Sequence, residues 1–94
     1  MTETIETRRK RLRFRSWHRG TREADLLLGR FADHYLDRFS DRELRQYEEL
    51  IGHSDPDIYN WISDREPIPE PLRNPVTILL KDFSKRRLGT DKHG

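Results

Sequence analysis

Cysteine is absent from this chain, and with it any disulfide staple or thiolate metal site. That absence suits a reducing compartment without requiring one. Apolar residues are scarce, 32% against 38% charged, and mean hydropathy is −1.06. No stretch approaches the roughly 20 apolar residues of a membrane span, so membrane insertion by a helix is excluded. No apolar run follows the basic start, so Arg8-Arg9 is not an export signal. An arginine-rich start can mimic a mitochondrial presequence, but Glu3 and Glu6 are acidic. The chain reads as mature, untargeted and cytoplasmic, and the missing presequence favours a bacterial origin.

The signatures of catalysis are missing too. There is no P-loop and no G-x-G-x-x-G. His18, His34, His53 and His93 have no H-x-x-x-H spacing and no cysteine to join them, so no metal site is read. Paired carboxylates would need a pocket that separates their pKa values. Here Glu43, Asp55 and Asp57 have nearer roles at helix starts, and most other acids read as solvated. A chain of 94 residues buries only roughly 60–65% of its unfolded surface, which leaves little room for a pocket. The chain is not read as an enzyme.

What is present is helical periodicity, in a single domain over residues 1–94 with an ordered core of about 8–87 and flexible ends at 1–6 and 88–94. Thr7 to His18 reads as a basic helix that must dock through Leu12 and Trp17 or Phe14. Thr21 to Arg38 reads as a second helix, capped by Thr21 or Gly20. Its stripe is Ala24, Leu27, Leu28, Phe31, Tyr35 and Phe39. Gly29 falls off that stripe. Leu26 points away from it, either as an ordinary covered or exposed leucine or as the apolar centre of a partner surface. Ser40-Asp41-Arg42-Glu43 is a capping box, followed by Leu44, Tyr47, Leu50 and Ile51 on one face and a stop at Gly52. Asp55 caps a short fourth helix with Pro56 in its first position and Asp57 behind it; Trp61 anchors it, and it ends near Asp64. Pro67, Pro69 and Pro71 form an extended connector. Asn74-Pro75 opens the last helix, with Val76, Leu79, Leu80, Phe83 and Arg87 as its stripe. No segment alternates with period two, so the fold class is all-α with no sheet.

Charge is unevenly spread. Arg8 to Arg22 carries eight basic residues and no acid, whereas Glu23 to Leu80 carries thirteen acids and six basic residues. A basic end of this kind suits nucleic acid, anionic lipid or an acidic protein partner. With Phe14 and Trp17 interleaved, the arm would serve a nucleic-acid-binding helical module by phosphate neutralisation and base stacking. The competing reading keeps the aromatics in the core and the arginines in solvent.

Arg19-Gly20-Thr21-Arg22-Glu23, with Asp25 after it, places two arginines and two acids around a glycine turn and a helix start. The stretch resembles the R-G-x-x-E motif of the SdhE-type succinate dehydrogenase assembly factors. Asp55-Pro56-Asp57-Ile58-Tyr59-Asn60-Trp61 resembles that family's acidic turn before a tryptophan helix. The order of elements over residues 8–87 is also similar. The resemblance implies a compact bundle of about five helices. It implies a factor that binds the flavoprotein subunit of succinate dehydrogenase, and in some bacteria that of fumarate reductase, and promotes covalent attachment of FAD. The FAD would belong to the partner, with no cofactor and no metal bound stably by this chain. The factor would be a monomer and would bind no nucleic acid. Arg19, Gly20, Arg22, Glu23, Asp25 and Leu26, with Trp17 and His18, would face the partner. Asp55, Asp57 and Trp61 would be a structural signature. Arg19 and Arg22 would pair with partner acids.

Overall fold

The computed structural model describes residues 3–93, with side chains from Glu3 to Arg86. Five helices follow one another: α1 (Ile5–Trp17), α2 (Arg22–Tyr35), α3 (Asp41–Ile51), α4 (Asp55–Ile62) and α5 (Pro75–His93). Short 3₁₀ turns at Leu36–Arg38 and Glu70–Leu72 join them, and no strand occurs among the described residues. The all-α expectation therefore holds. No described helix is long and apolar enough to cross a membrane. The loose tail expected over 88–94, and the stripe position at Arg87, lie outside the residues with described side chains.

α1 begins earlier than the expected frayed start allows. The Thr4 hydroxyl accepts from the Thr7 amide at 3.1 Å and caps the helix at Ile5. Its inner face is Leu12 and Ser16, one turn apart and both fully buried. Phe14 lies on the other side of the helix and is 63% exposed, so docking uses Leu12 and Trp17. Ser16 Oγ donates to Leu12 O at 2.8 Å and shares a 2.6 Å hydrogen bond with the buried Tyr47 hydroxyl. Burial pushes the Tyr47 phenol well above its ordinary range.

α2 buries Ala24, Leu28, Phe31 and Ala32, with Leu36 buried in the turn that follows, and Phe31 packs on Tyr35, Phe39, Tyr47 and Phe83 with ring centroids 4.9–6.1 Å apart. The reciprocal capping box at Ser40 and Glu43 forms as expected, and Leu44, Tyr47, Leu50 and Ile51 are all buried. Asn74 Oδ1 accepts from the Thr77 amide at 3.0 Å, the cap expected for α5. Asp64, at positive φ (66°) just past α4, turns the chain and pairs with Lys81 and Lys85 of α5.

The arginines of α1 are not a solvated stripe. Arg9 donates to the carbonyls of Leu36 (2.8 Å) and Phe39 (3.0 Å), where the second helix runs out of internal partners. Arg8 pairs with Asp41 at 2.6 Å, and Arg13 with Asp37 at 3.0 Å. Arg11 bridges Glu3 and Glu48, each at 2.8 Å. The Arg11 guanidinium, with help from Arg8, holds the Glu3 carboxyl at about 2 against an ordinary 4.5. Arg11 likewise holds Glu48 below its ordinary value. Lower pKa values in the folded state mean stabilisation that is complete above the unfolded value and lost as pH falls through the folded one. Thermal melts should therefore show a midpoint that drops as pH is taken from 4.5 towards 2, and Glu48→Gln should make that drop shallower. A midpoint indifferent to pH across that window would contradict the pairing.

Candidate partner-docking site

Gly20 sits at φ +113°, a left-handed conformation that L side chains rarely adopt, so glycine makes the turn between α1 and α2. Thr21 follows as the cap of α2, its hydroxyl accepting from the Ala24 amide at 3.2 Å. A Cβ added at Gly20 would meet nothing within 4 Å, so the turn lies open.

Arg19 turns inward, contrary to the expectation that it faces a partner. Its Nε donates to Asp55 Oδ1 (2.9 Å), Nη1 to Ile51 O (2.5 Å) and Nη2 to His53 O (2.9 Å), and its side chain is only 11% exposed. Ile51 O is an end carbonyl of α3 and His53 O lies just past it, so one guanidinium satisfies orphan acceptors and complements the helix dipole. Asp25 is also spent within the molecule, accepting from the Arg19 amide at 2.5 Å. Asp55 was expected to cap α4, but Ser54 takes that role, accepting from the Asp57 amide at 3.3 Å. Asp55 moves to the first helical position and is left free to hold Arg19. The two sequence segments that carry the family resemblance thus meet through one ion pair. Asp57 stays exposed in the first turn of α4, and Trp61 is 7% exposed with its ring edge-on to His53 at 5.1 Å.

Arg22 and Glu23 point outward. Both are exposed, and neither side chain makes a hydrogen bond or ion pair within the described residues. Beside them lies an open concavity of about 530 Å³, lined by Trp17, His18, Gly20, Thr21, Arg22, Asp25 and Leu26. Leu26 is half-buried and lines its wall. His18 is exposed; its Nδ1 is 2.7 Å from Phe14 O, and its ring stacks on Phe14 with centroids 3.9 Å apart. The Tyr59 hydroxyl is buried on α4 without a hydrogen-bond partner among the described residues, and burial followed by the nearby Glu23 and Asp55 charges pushes its pKa up.

Sequence reasoning missed two parts of this surface. Trp17 lies over Gly29 of α2, where an added Cβ would fall inside the van der Waals envelope of indole Cδ2, Cε2 and Cε3. Gly29 is buried, although it falls outside the apolar stripe, because α1 covers that side of α2. Periodicity ranks side chains by polarity and has no means of marking a glycine that makes room for another helix. Trp17 Nε1 donates to Asp33 Oδ1 at 3.3 Å, a contact equally silent in sequence. Among the described residues, no cluster of His, Asp and Glu is placed to hold a metal ion.

The family model for the flavinator of succinate dehydrogenase matches residues 10–84. The chain is 41% identical over 87 residues to a zebrafish protein named succinate dehydrogenase assembly factor 2, mitochondrial, covering 90% of this chain and 55% of that one. It is 45% identical over 93 residues to the factor of the same name from the yeast Meyerozyma guilliermondii, covering 96% of this chain and 67% of that one. It is 34% identical over 87 residues to the FAD assembly factor SdhE of Acetobacter pasteurianus, covering 93% of this chain and 80% of that one. The chain thus spans about half the length of the zebrafish relative and most of the bacterial one. A match over most of a 94-residue chain whose two motif segments are joined by an ion pair leads to one assignment: the chain belongs to the family of succinate dehydrogenase flavinators, the SdhE-type assembly factors.

Proposed function

We propose that this chain is an assembly factor that binds the flavoprotein subunit of succinate dehydrogenase and promotes covalent attachment of FAD to it. The observation that carries the reading is the unpaired Arg22 and Glu23 beside the Trp17–Leu26 concavity, in a chain of this family. An exposed opposite-charge pair next to apolar surface supplies orientation and contact area to a docked protein. In this reading Arg22 pairs with an acid of the flavoprotein, and Glu23 accepts from a basic or backbone group. Gly20 leaves room for close approach.

The attachment chemistry belongs to the flavin and its target subunit. The factor's part is to bias that subunit towards the arrangement in which the attachment residue meets the flavin, which is proximity and population shift rather than catalysis by this chain. FAD is the partner's in this reading, and the factor works as a monomer in the compartment of its client, the cytoplasm of a bacterial cell. The flavoprotein subunit of fumarate reductase is a second client by the same chemistry.

The nucleic-acid reading loses its basis in the arm itself. Of its eight basic residues, Arg8, Arg9, Arg11, Arg13, Arg15 and Arg19 all contact acids or carbonyls of this chain. Co-expression with a succinate dehydrogenase flavoprotein subunit tests the proposal. In-gel fluorescence of covalent flavin should rise several-fold when this chain is present. Equal flavin with and without it would contradict the reading.

A further inference from the structure

We infer that Gly29, outside the motif, is a positioning residue for docking: its missing side chain forms the notch that lays the Trp17 indole down as a wall of the docking concavity. The inference rests on the proposed function and extends the docking surface onto the middle of α2. Three observations carry it. The fused edge of the indole occupies the space that a Cβ at Gly29 would need. Trp17 is only half-buried in that seat, and its ring lines the same concavity as Leu26 and Arg22. Asp33 Oδ1 accepts from the indole N–H at 3.3 Å, which sets the ring's direction as well as its depth.

Glycine in a helix interior is unfavourable relative to alanine, so its presence in α2 calls for a packing reason. Packing alone would be served by a smaller residue at position 17 and alanine at 29. Holding a large, part-exposed aromatic flat beside two unpaired charges is the arrangement of an interface anchor, where a buried aromatic is ringed by polar groups. The occupant is therefore the flavoprotein subunit, presenting an apolar or aromatic residue to the indole and an acid to Arg22.

The test is a set of variants and one probe, the purified flavoprotein subunit, titrated against each chain. Trp17→Leu should bind at least tenfold more weakly than the unmodified chain. Gly29→Ala should do the same and should lower the melting temperature. In a Trp61→Phe background, where Trp17 is the remaining tryptophan, Gly29→Ala should also shift the tryptophan emission to the red. The double variant Gly29→Ala with Trp17→Leu separates packing from docking. It should recover the melting temperature and still bind at least tenfold more weakly, and it decides the matter even if Gly29→Ala alone does not fold. Binding of the double variant within twofold of the unmodified chain would overturn the inference, leaving Gly29 a packing residue and the proposed function intact. Failure of the unmodified chain to bind would overturn both.

Discussion

Arg19→Ala should unfold this protein well below the temperature at which the unmodified chain melts. The substitution removes three side-chain hydrogen bonds, to Asp55 Oδ1, Ile51 O and His53 O, and leaves Asp55 with no cation. Breaking a buried ion pair by deleting one partner costs about 3–5 kcal/mol. Residual exposure of Arg19 and Asp55 (11% and 19%) places this pair at the lower end, about 3 kcal/mol. A domain of this size has only about 5–15 kcal/mol in total, and each kcal/mol shifts the midpoint by about 4–8 °C, so a fall of more than about 10 °C is expected. Circular dichroism melts measure it directly. Arg19→Lys should recover only part of the loss, because an ammonium lacks the planar fork that reaches a carboxylate and two carbonyls together. A melting temperature unchanged in Arg19→Ala would show that the clamp contributes nothing, and would return Arg19 to the docking surface.

Glu23→Ala should give the opposite result, a folded protein that fails to dock. Glu23 is exposed in the first turn of α2, and its carboxylate has no partner among the described residues. Its carboxylate favours the helix start by under about 1 kcal/mol, and alanine is the better helix former, so the two effects nearly cancel. Truncating a charged contact at a protein interface costs about 2–5 kcal/mol when the group is desolvated there, more than enough for a tenfold loss of affinity. Gly20 is a poorer probe of the same face. Its positive φ means that any side chain there disturbs the turn as well as the surface.

The contrast between these two residues marks how far the sequence could be read. Helix positions followed from patterns that are local. Ser40 and Glu43 close a box three residues apart, and Leu44, Tyr47, Leu50 and Ile51 recur at helical spacing, so both were legible. The motif was legible as a place, and the open Gly20 turn and outward Glu23 stand where expected. The direction taken by Arg19 was not legible, because it depends on Asp55, which is far away in sequence. That in turn depends on Ser54, rather than Asp55, capping α4. Two neighbouring residues were both competent caps, and only the tertiary use of one of them decides. The arginines of α1 were hidden in the same way, since most of their acids and carbonyls lie far along the chain. Phe14 shows the converse: an aromatic in a small protein need not be core, and this one sits on the surface stacked against His18.

The central claim is a division of labour within five residues: Arg19 holds the fold, and Glu23 meets the partner. Calorimetric titration of a purified flavoprotein subunit with the unmodified chain and with Glu23→Ala, at a temperature where both are fully helical, tests it most directly. At least tenfold weaker binding by Glu23→Ala, with a midpoint within a few degrees of the unmodified chain, is the expected result. Equal affinities, or a loss of binding that tracks a loss of helicity, would contradict it.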